Sequence, residues 1–215
     1  MLDAPGEAQP STIVATEIAY AKAAVRDGQW SAATDFAASG ARLHIDEGPV
    51  DAATWLRGRT NPAIAKGWAT RSVVMSCDGS VAATQGRFKD ADGFVGTYLA
   101  IWLRQNDGTY RWVYDVSGRD NPQPTPEVPE ELPEGAIIVQ AIDTISGLVA
   151  DCVRGAREVP PPPAISLSVE GEQGASLSRD GTLRWRWEHR DDGTKFISVA
   201  FYSGGKWKTA LEESL

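Results

Sequence analysis

The stretch from Val73 to Ser117 places turn dipeptides at Asp78-Gly79, Asp92-Gly93 and Asp107-Gly108, 14 and 15 residues apart, with β-forming residues between them. Asp-Gly between alternating apolar residues is a strong hairpin signal, because glycine takes the positive φ that tight hairpin turns demand. The stretch therefore reads as a three-stranded antiparallel meander. Its strand from Phe94 to Leu103 has a face with Phe94, Tyr98, Ala100 and Trp102, and an opposite face with Val95, Leu99, Ile101 and Leu103. Both faces are apolar, so the strand is expected to lie centrally, with helices on one side and a partner subunit or a second unit on the other.

The rest of the chain is arranged around that sheet. Val14, Ile18, Ala21 and Val25 recur at helical spacing, with Ser11 as candidate cap and Gly28 as stop. Ser31 can cap a second helical segment anchored by Phe36. A strand is expected over Ala41 to Asp46, a short helix after Asp51, and a sheet strand from Trp68. The sixteen residues Asp120 to Gly135 hold five prolines and five acidic residues, the composition of an extended linker. Beyond it, Ile138 to Cys152 reads as β structure over a helical alternative. Turn signals return at Asp180-Gly181, Asp192-Gly193 and Gly204-Gly205. Ser178-Arg179-Asp180-Gly181-Thr182 echoes Ser76-Cys77-Asp78-Gly79-Ser80, an echo that hairpins of similar length produce without duplication. The expected organisation is a disordered leader at 1–10, an α+β domain at 11–120, a linker at 121–135 and a small β-rich unit at 136–215.

The order of elements in the first domain resembles the nuclear transport factor 2-like superfamily. The residues that carry the resemblance are Ala19 to Gly28 followed by Phe36, then Gly86-Arg87-Phe88, Gly96 to Trp102, and Asp107 to Asp115. The last run is similar to bacterial members of a branch described only as a domain of unknown function. The resemblance implies a cone, in which a curved antiparallel sheet wraps N-terminal helices and leaves a pocket between them. Relatives use that pocket as an isomerase, dehydratase or cyclase site, as a small-ligand site, or as plain packing, so the fold leaves the function open. Steroid isomerase-like members place a carboxylate base on the first strand and a tyrosine oxyanion donor on the first helix. The ungapped count from Gly28 falls on Ile45, one residue short of Asp46 and on the other strand face.

Three functions follow as expectations. The first is a non-catalytic, small-molecule-binding accessory protein whose pocket is walled by Trp55, Trp68, Tyr98, Trp102 and Trp112, with Asp115 at the strand end. The second is a cofactor-independent isomerase or lyase using His44 or Asp46 as base and Tyr20 or Tyr98 as oxyanion donor. The third is a structural homodimer joined through the sheet. A hydrophobic small molecule is the expected ligand.

No cofactor is implied, since no phosphate-binding glycine loop or nucleophile elbow occurs in context. No metal is implied either: His44 and His189 lie in different units, and Cys77 and Cys152 form no close pair. A net charge of -8 argues against a nucleic-acid partner. No apolar run is long enough to span a membrane. The leader fits both a cytoplasmic start and a mature exported chain. Nothing in the sequence brings Cys77 to Cys152, so both are expected to be unpaired, with one bridge as the alternative.

Overall fold

The computed structural model describes residues 8–125, 144–153, 158–164 and 171–215. Residues 1–7 of the expected leader, most of the expected linker, and Ile138 and Ile142 lie outside the described residues. The fold is α+β, with two sheets. Helix α1 (Pro10–Asp27) and helix α2 (Gln29–Phe36) precede strands β1 (Ala37–Ile45) and β2 (Gly48–Asp51), helix α3 (Ala52–Leu56) and strand β3 (Gly67–Met75). Then come β4 (Val81–Lys89), β5 (Val95–Arg104), β6 (Tyr110–Arg119) and β7 (Ser146–Val149), followed by β8 (Gly171–Leu177), β9 (Leu183–Arg190), β10 (Lys195–Ser203) and β11 (Lys206–Ser214).

Strands β3 to β6 pair antiparallel in chain order, so the three Asp-Gly turns join four strands rather than three, the first being the sheet strand expected from Trp68. Gly79, Gly93 and Gly108 all take positive φ at the turns, as the Asp-Gly pairs require. The larger sheet runs β2-β1-β6-β5-β4-β3-β7. Two of its pairings are parallel, β1 with β6 and β3 with β7, so the sheet is mainly rather than wholly antiparallel. Register shifts at Thr70/Ser72 and Ile101/Trp102 mark bulges, which bend a sheet and allow it to curl around helices.

The two faces of β5 serve two cores. Ala100 and Trp102 pack with Ile13, Ala33, Leu56 and Trp112 on the helix side. Leu99 and Ile101 pack with Tyr114, Val116, Leu183, Trp187, Ile197 and Val199 on the other. The second face is thus covered by the smaller sheet, β11-β10-β9-β8. The two sheets stack as in a sandwich. Of the two coverings expected for this face, the chain's own C-terminal unit fills the place rather than a second copy.

Three local readings are corrected. The stripe Val14, Ile18, Ala21, Val25 does not face the core, because Ile18 is 50% and Val25 78% exposed. The inward stripe is Ile13, Glu17, Tyr20 and Ala24, the same spacing displaced by one residue, with Ile13 and Ala24 buried outright. Glu17 hides that stripe from a hydrophobicity count. Second, Ser11 is not the cap of α1: the helix begins at Pro10 with Gln9 at the cap position, where the ring of Pro10 fits the first helical turn. Asp51 does cap α3, its carboxylate accepting from Thr54 N at 2.8 Å.

Third, Cys77 and Cys152 form a disulfide, with their Cα atoms 5.2 Å apart. The cause is the β3/β7 pairing. Met75 lies opposite Val149 and accepts a hydrogen bond from Ala150 N, which carries the chain to Cys152 beside Cys77. The two echoing turns meet at the same end of the molecule. Ser76 Oγ donates to Asp78 and Ser178 Oγ to Asp180, and the turns are then joined by Asp78 N to Asp180 Oδ2 at 2.9 Å and Cys77 N to Thr182 Oγ1 at 3.0 Å.

Candidate functional site

Gly28, at φ 101°, turns the chain from α1 into α2. Asn61 packs against it so closely that a Cβ there would overlap the amide, and Asn61 Oδ1 accepts from Trp30 N at 2.7 Å, capping α2. This corner sets Tyr20 and Trp30 over the concave face of the sheet. Between them and the strands lies a cavity of ≈ 80 Å³ with Trp68, Trp102 and Trp112 in its wall and Glu17, Tyr20, Tyr98, Lys66 and Asp115 as its polar lining. A larger recess of ≈ 680 Å³ continues outward and shares Trp30, Leu43, Lys66, Phe88, Asp115 and Ser117 with the chamber. Those shared residues form a neck.

Glu17 is the most enclosed ionisable group of the chamber, 3% exposed. It accepts from Trp68 Nε1 at 2.9 Å, from Thr84 Oγ1 at 2.5 Å and from Tyr98 Oη at 3.5 Å. Thr84 in turn accepts from Trp102 Nε1 at 3.0 Å, and Tyr98 shares a hydrogen bond with Thr70 at 2.9 Å. Burial pushes the Glu17 carboxyl up to about 7, with the hydrogen bonds from Thr84 and Trp68 opposing it.

Asp115 is held differently. It stands opposite Leu43 in the β1/β6 register, and both side chains line the chamber. Among the described residues nothing hydrogen bonds to the Asp115 carboxyl or to the Tyr20 hydroxyl. Burial raises Asp115 to about 6, against the opposing pull of Lys66 and Lys195. It also raises the Tyr20 phenol well above its ordinary value, with Asp115 and Glu17 adding to the shift. Desolvation lowers the Lys66 ammonium, while Asp115 and Asp90 act to raise it. The result is an apolar chamber with two carboxyls poised near neutrality.

The expected catalytic group is not brought together. Tyr20 and Tyr98 face the chamber. His44 instead points between the two sheets, where Tyr114 Oη lies 2.7 Å from Nδ1 and His189 Nδ1 lies 3.1 Å from Nε2. Both ring nitrogens are therefore engaged away from the cone. Burial, then His189, lowers the imidazole to about 4, so it is neutral at pH 7. Asp46 lies past the end of β1 with its side chain 89% exposed and accepts from Lys195 Nζ at 2.6 Å, which holds it below the usual carboxylate range. Leu43, on the opposite face of β1 from His44, is the β1 residue that lines the chamber.

Of the expected pocket wall, Trp68, Tyr98, Trp102, Trp112 and Asp115 line the chamber. Trp55 lies outside, at the recess, edge-on to Trp30 at 5.3 Å and under the Arg59 guanidinium at 3.4 Å. Sequence reasoning missed Glu17 and Lys66. The helical spacing from Ile13 to Ala24 could have found the first. Lys66 sits in a stretch of turn residues with no periodic signal. Among the described residues no three His, Cys, Asp or Glu side chains are grouped to hold a metal ion, and no helix is long and apolar enough to cross a membrane.

No protein-family model matches the chain, and no curated protein does. A solved structure of a protein provisionally named an aromatic ring hydroxylase, from Novosphingobium aromaticivorans, is similar at 16% identity over 51% of this chain and 87% of its own, with a TM-score of 0.38. A likeness of that degree establishes neither fold nor activity for this chain.

Proposed function

We propose that the chain is a cone of the nuclear transport factor 2-like kind whose chamber binds a small, mainly apolar organic molecule. The observation that carries this reading is the pair of groups with no hydrogen-bond partner among the described residues, the Asp115 carboxyl and the Tyr20 hydroxyl, both lining a chamber walled by indole rings. No buried side-chain polar atom among the described residues lacks a partner, so both groups are open to the cavity, and a ligand that hydrogen bonds to them takes the place of water there. The aromatic walls supply the contact area. The test is a screen of single-ring fragments by ligand-observed NMR against the wild type and Ala100→Leu, which fills the chamber from its floor. Fragments that bind the wild type and not Ala100→Leu support the reading. Binding that Ala100→Leu leaves unchanged removes it.

A second reading is favoured by one specific observation. Glu17 and Asp115 are raised to about 7 and about 6, the range in which a carboxyl exchanges protons efficiently at neutral pH. On this reading the protein is a cofactor-independent isomerase or lyase, with Asp115 in the role first expected of His44 or Asp46 and Tyr20 as oxyanion donor. The chain should then catalyse exchange of the acidic C–H protons of small cyclic ketones with deuterated solvent, and Asp115→Asn should reduce the rate by about 100-fold. An unchanged rate in Asp115→Asn rules out this second reading. The homodimer reading has less support, since β5 is covered by the chain's own smaller sheet. The Cys77–Cys152 bridge favours the exported start over the cytoplasmic one, because disulfides persist in oxidising compartments.

A further inference from the structure

We propose that the neck of the cone selects a single-ring compound carrying a carboxylate, with the carboxylate held by the Lys66 ammonium and the ring in the chamber. This rests on the small-molecule reading above and adds the charge and shape of the molecule. Lys66 is placed by its backbone, whose N–H donates to Gln29 Oε1 at 2.8 Å. Its ammonium lies over the Phe88 ring at 4.3 Å and 3.4 Å from Ser117 Oγ. Among the described residues no carboxylate forms an ion pair with it.

Two other cations of the recess are ion-paired, and Arg59 donates to Trp55 O at 2.9 Å and lies over the Trp55 ring. Lys195 is paired with Asp46 at 2.6 Å and Arg119 with Asp90 at 2.6 Å. Lys66 differs because it lines the chamber as well as the recess and faces the cavity rather than a fixed acid. A desolvated ammonium with one long hydroxyl contact is a costly arrangement unless an anion completes it.

Asp115 shares the neck and sets the chemistry of the anion. The charged and titratable groups that interact with it are Lys66, Lys195, Glu17, Tyr20, Tyr98 and Tyr114. Two carboxyls at hydrogen-bond distance do not both ionise. A bound carboxylate therefore takes its second hydrogen bond from the protonated form of Asp115, and the pair carries one proton and one negative charge opposite Lys66. The chamber behind the neck, at ≈ 80 Å³, offers a ring the aromatic walls of Trp68, Trp102 and Trp112, and the adjoining recess has room for the part of the molecule that the chamber does not hold.

The experiment titrates the full chain with benzoate, benzamide and benzylammonium at pH 7 by calorimetry, using the wild type, Lys66→Met and Lys66→Gln. Wild type should bind benzoate about tenfold more tightly than benzamide, the difference expected of a charge-assisted hydrogen bond. Both variants should lose roughly that tenfold for benzoate and keep benzamide within about twofold. Benzamide or benzylammonium binding as tightly as benzoate to the wild type overturns the inference and leaves the small-molecule reading standing. Unchanged benzoate affinity in a folded Lys66 variant does the same. Failure of all three probes to bind overturns both.

Discussion

Glu17 and Asp115 reach one chamber from a helix and from the last strand of the meander, and burial keeps each protonated above the pH at which carboxyls ordinarily ionise. The folded state therefore holds their protons more tightly than the unfolded chain does. Their contribution to stability is fully present below the ordinary values of 4.5 and 3.8 and is lost as pH rises through about 6 for Asp115 and about 7 for Glu17. His44 works in the opposite sense. Its lowered value means that stability present above 6.5 is lost as pH falls toward 4. Glu17→Gln keeps acceptor and donor capacity facing Trp68 and Thr84 but cannot ionise. It should remove on the order of 2 kcal/mol of the fall in stability between pH 5 and pH 8. Urea unfolding of wild type and variant at both pH values measures it, and equal slopes would show that Glu17 ionises normally.

At the scale of elements, the sequence makes the strands legible and hides the helix face. Every Asp-Gly pair read as a hairpin became a turn, and the split of β5 into a face with Ala100 and Trp102 and a face with Leu99, Ile101 and Leu103 matches the two cores, while Phe94, expected on the first face, lies ahead of β5 and is 41% exposed. Strand alternation survives because both faces are apolar in their own way. The facing of α1 was not legible, because its inward stripe includes a glutamate whose burial depends on three hydrogen-bond donors from β3, β4 and β5. Of the candidate site, the aromatic wall and Asp115 could be read from residue type and register. Glu17, Lys66 and the outward turn of His44 depend on contacts between elements distant in sequence. The same holds for Cys77 and Cys152, 75 residues apart and joined through the parallel β3/β7 pair. The double variant Cys77→Ser/Cys152→Ser should lose roughly 2–4 kcal/mol in thermal or urea unfolding, the range for a bridge closing a long loop. The wild type should match the variant once reduced. Identical stability with and without reductant would contradict a structural bridge.

The whole molecule is a cone closed on its helix side and covered on its sheet side by a second sheet of the same chain. Leu183, Ile197 and Val199 are each 0% exposed in the layer between the sheets. Truncating Ile197 to Ala should therefore cost about 2–5 kcal/mol, as large-to-small changes in a packed core do. A value near zero would mean that the smaller sheet does not dock as described. Docking also removes the sheet face that a second copy would need, and the full chain is expected to sediment as a monomer at micromolar concentration. A dimer by sedimentation velocity would mean that association uses another surface.

The binding chamber depends most on Asp115, which lines it with no hydrogen-bond partner among the described residues. Its carboxyl can be followed directly by carbon-13 NMR across a pH titration of the full chain, with Asp115→Asn giving the assignment. The expected midpoint is about 6, moving further when a chamber ligand saturates the protein. A midpoint at the ordinary 3.8, indifferent to ligand, would mean that Asp115 is solvated or already paired and would contradict the binding chamber.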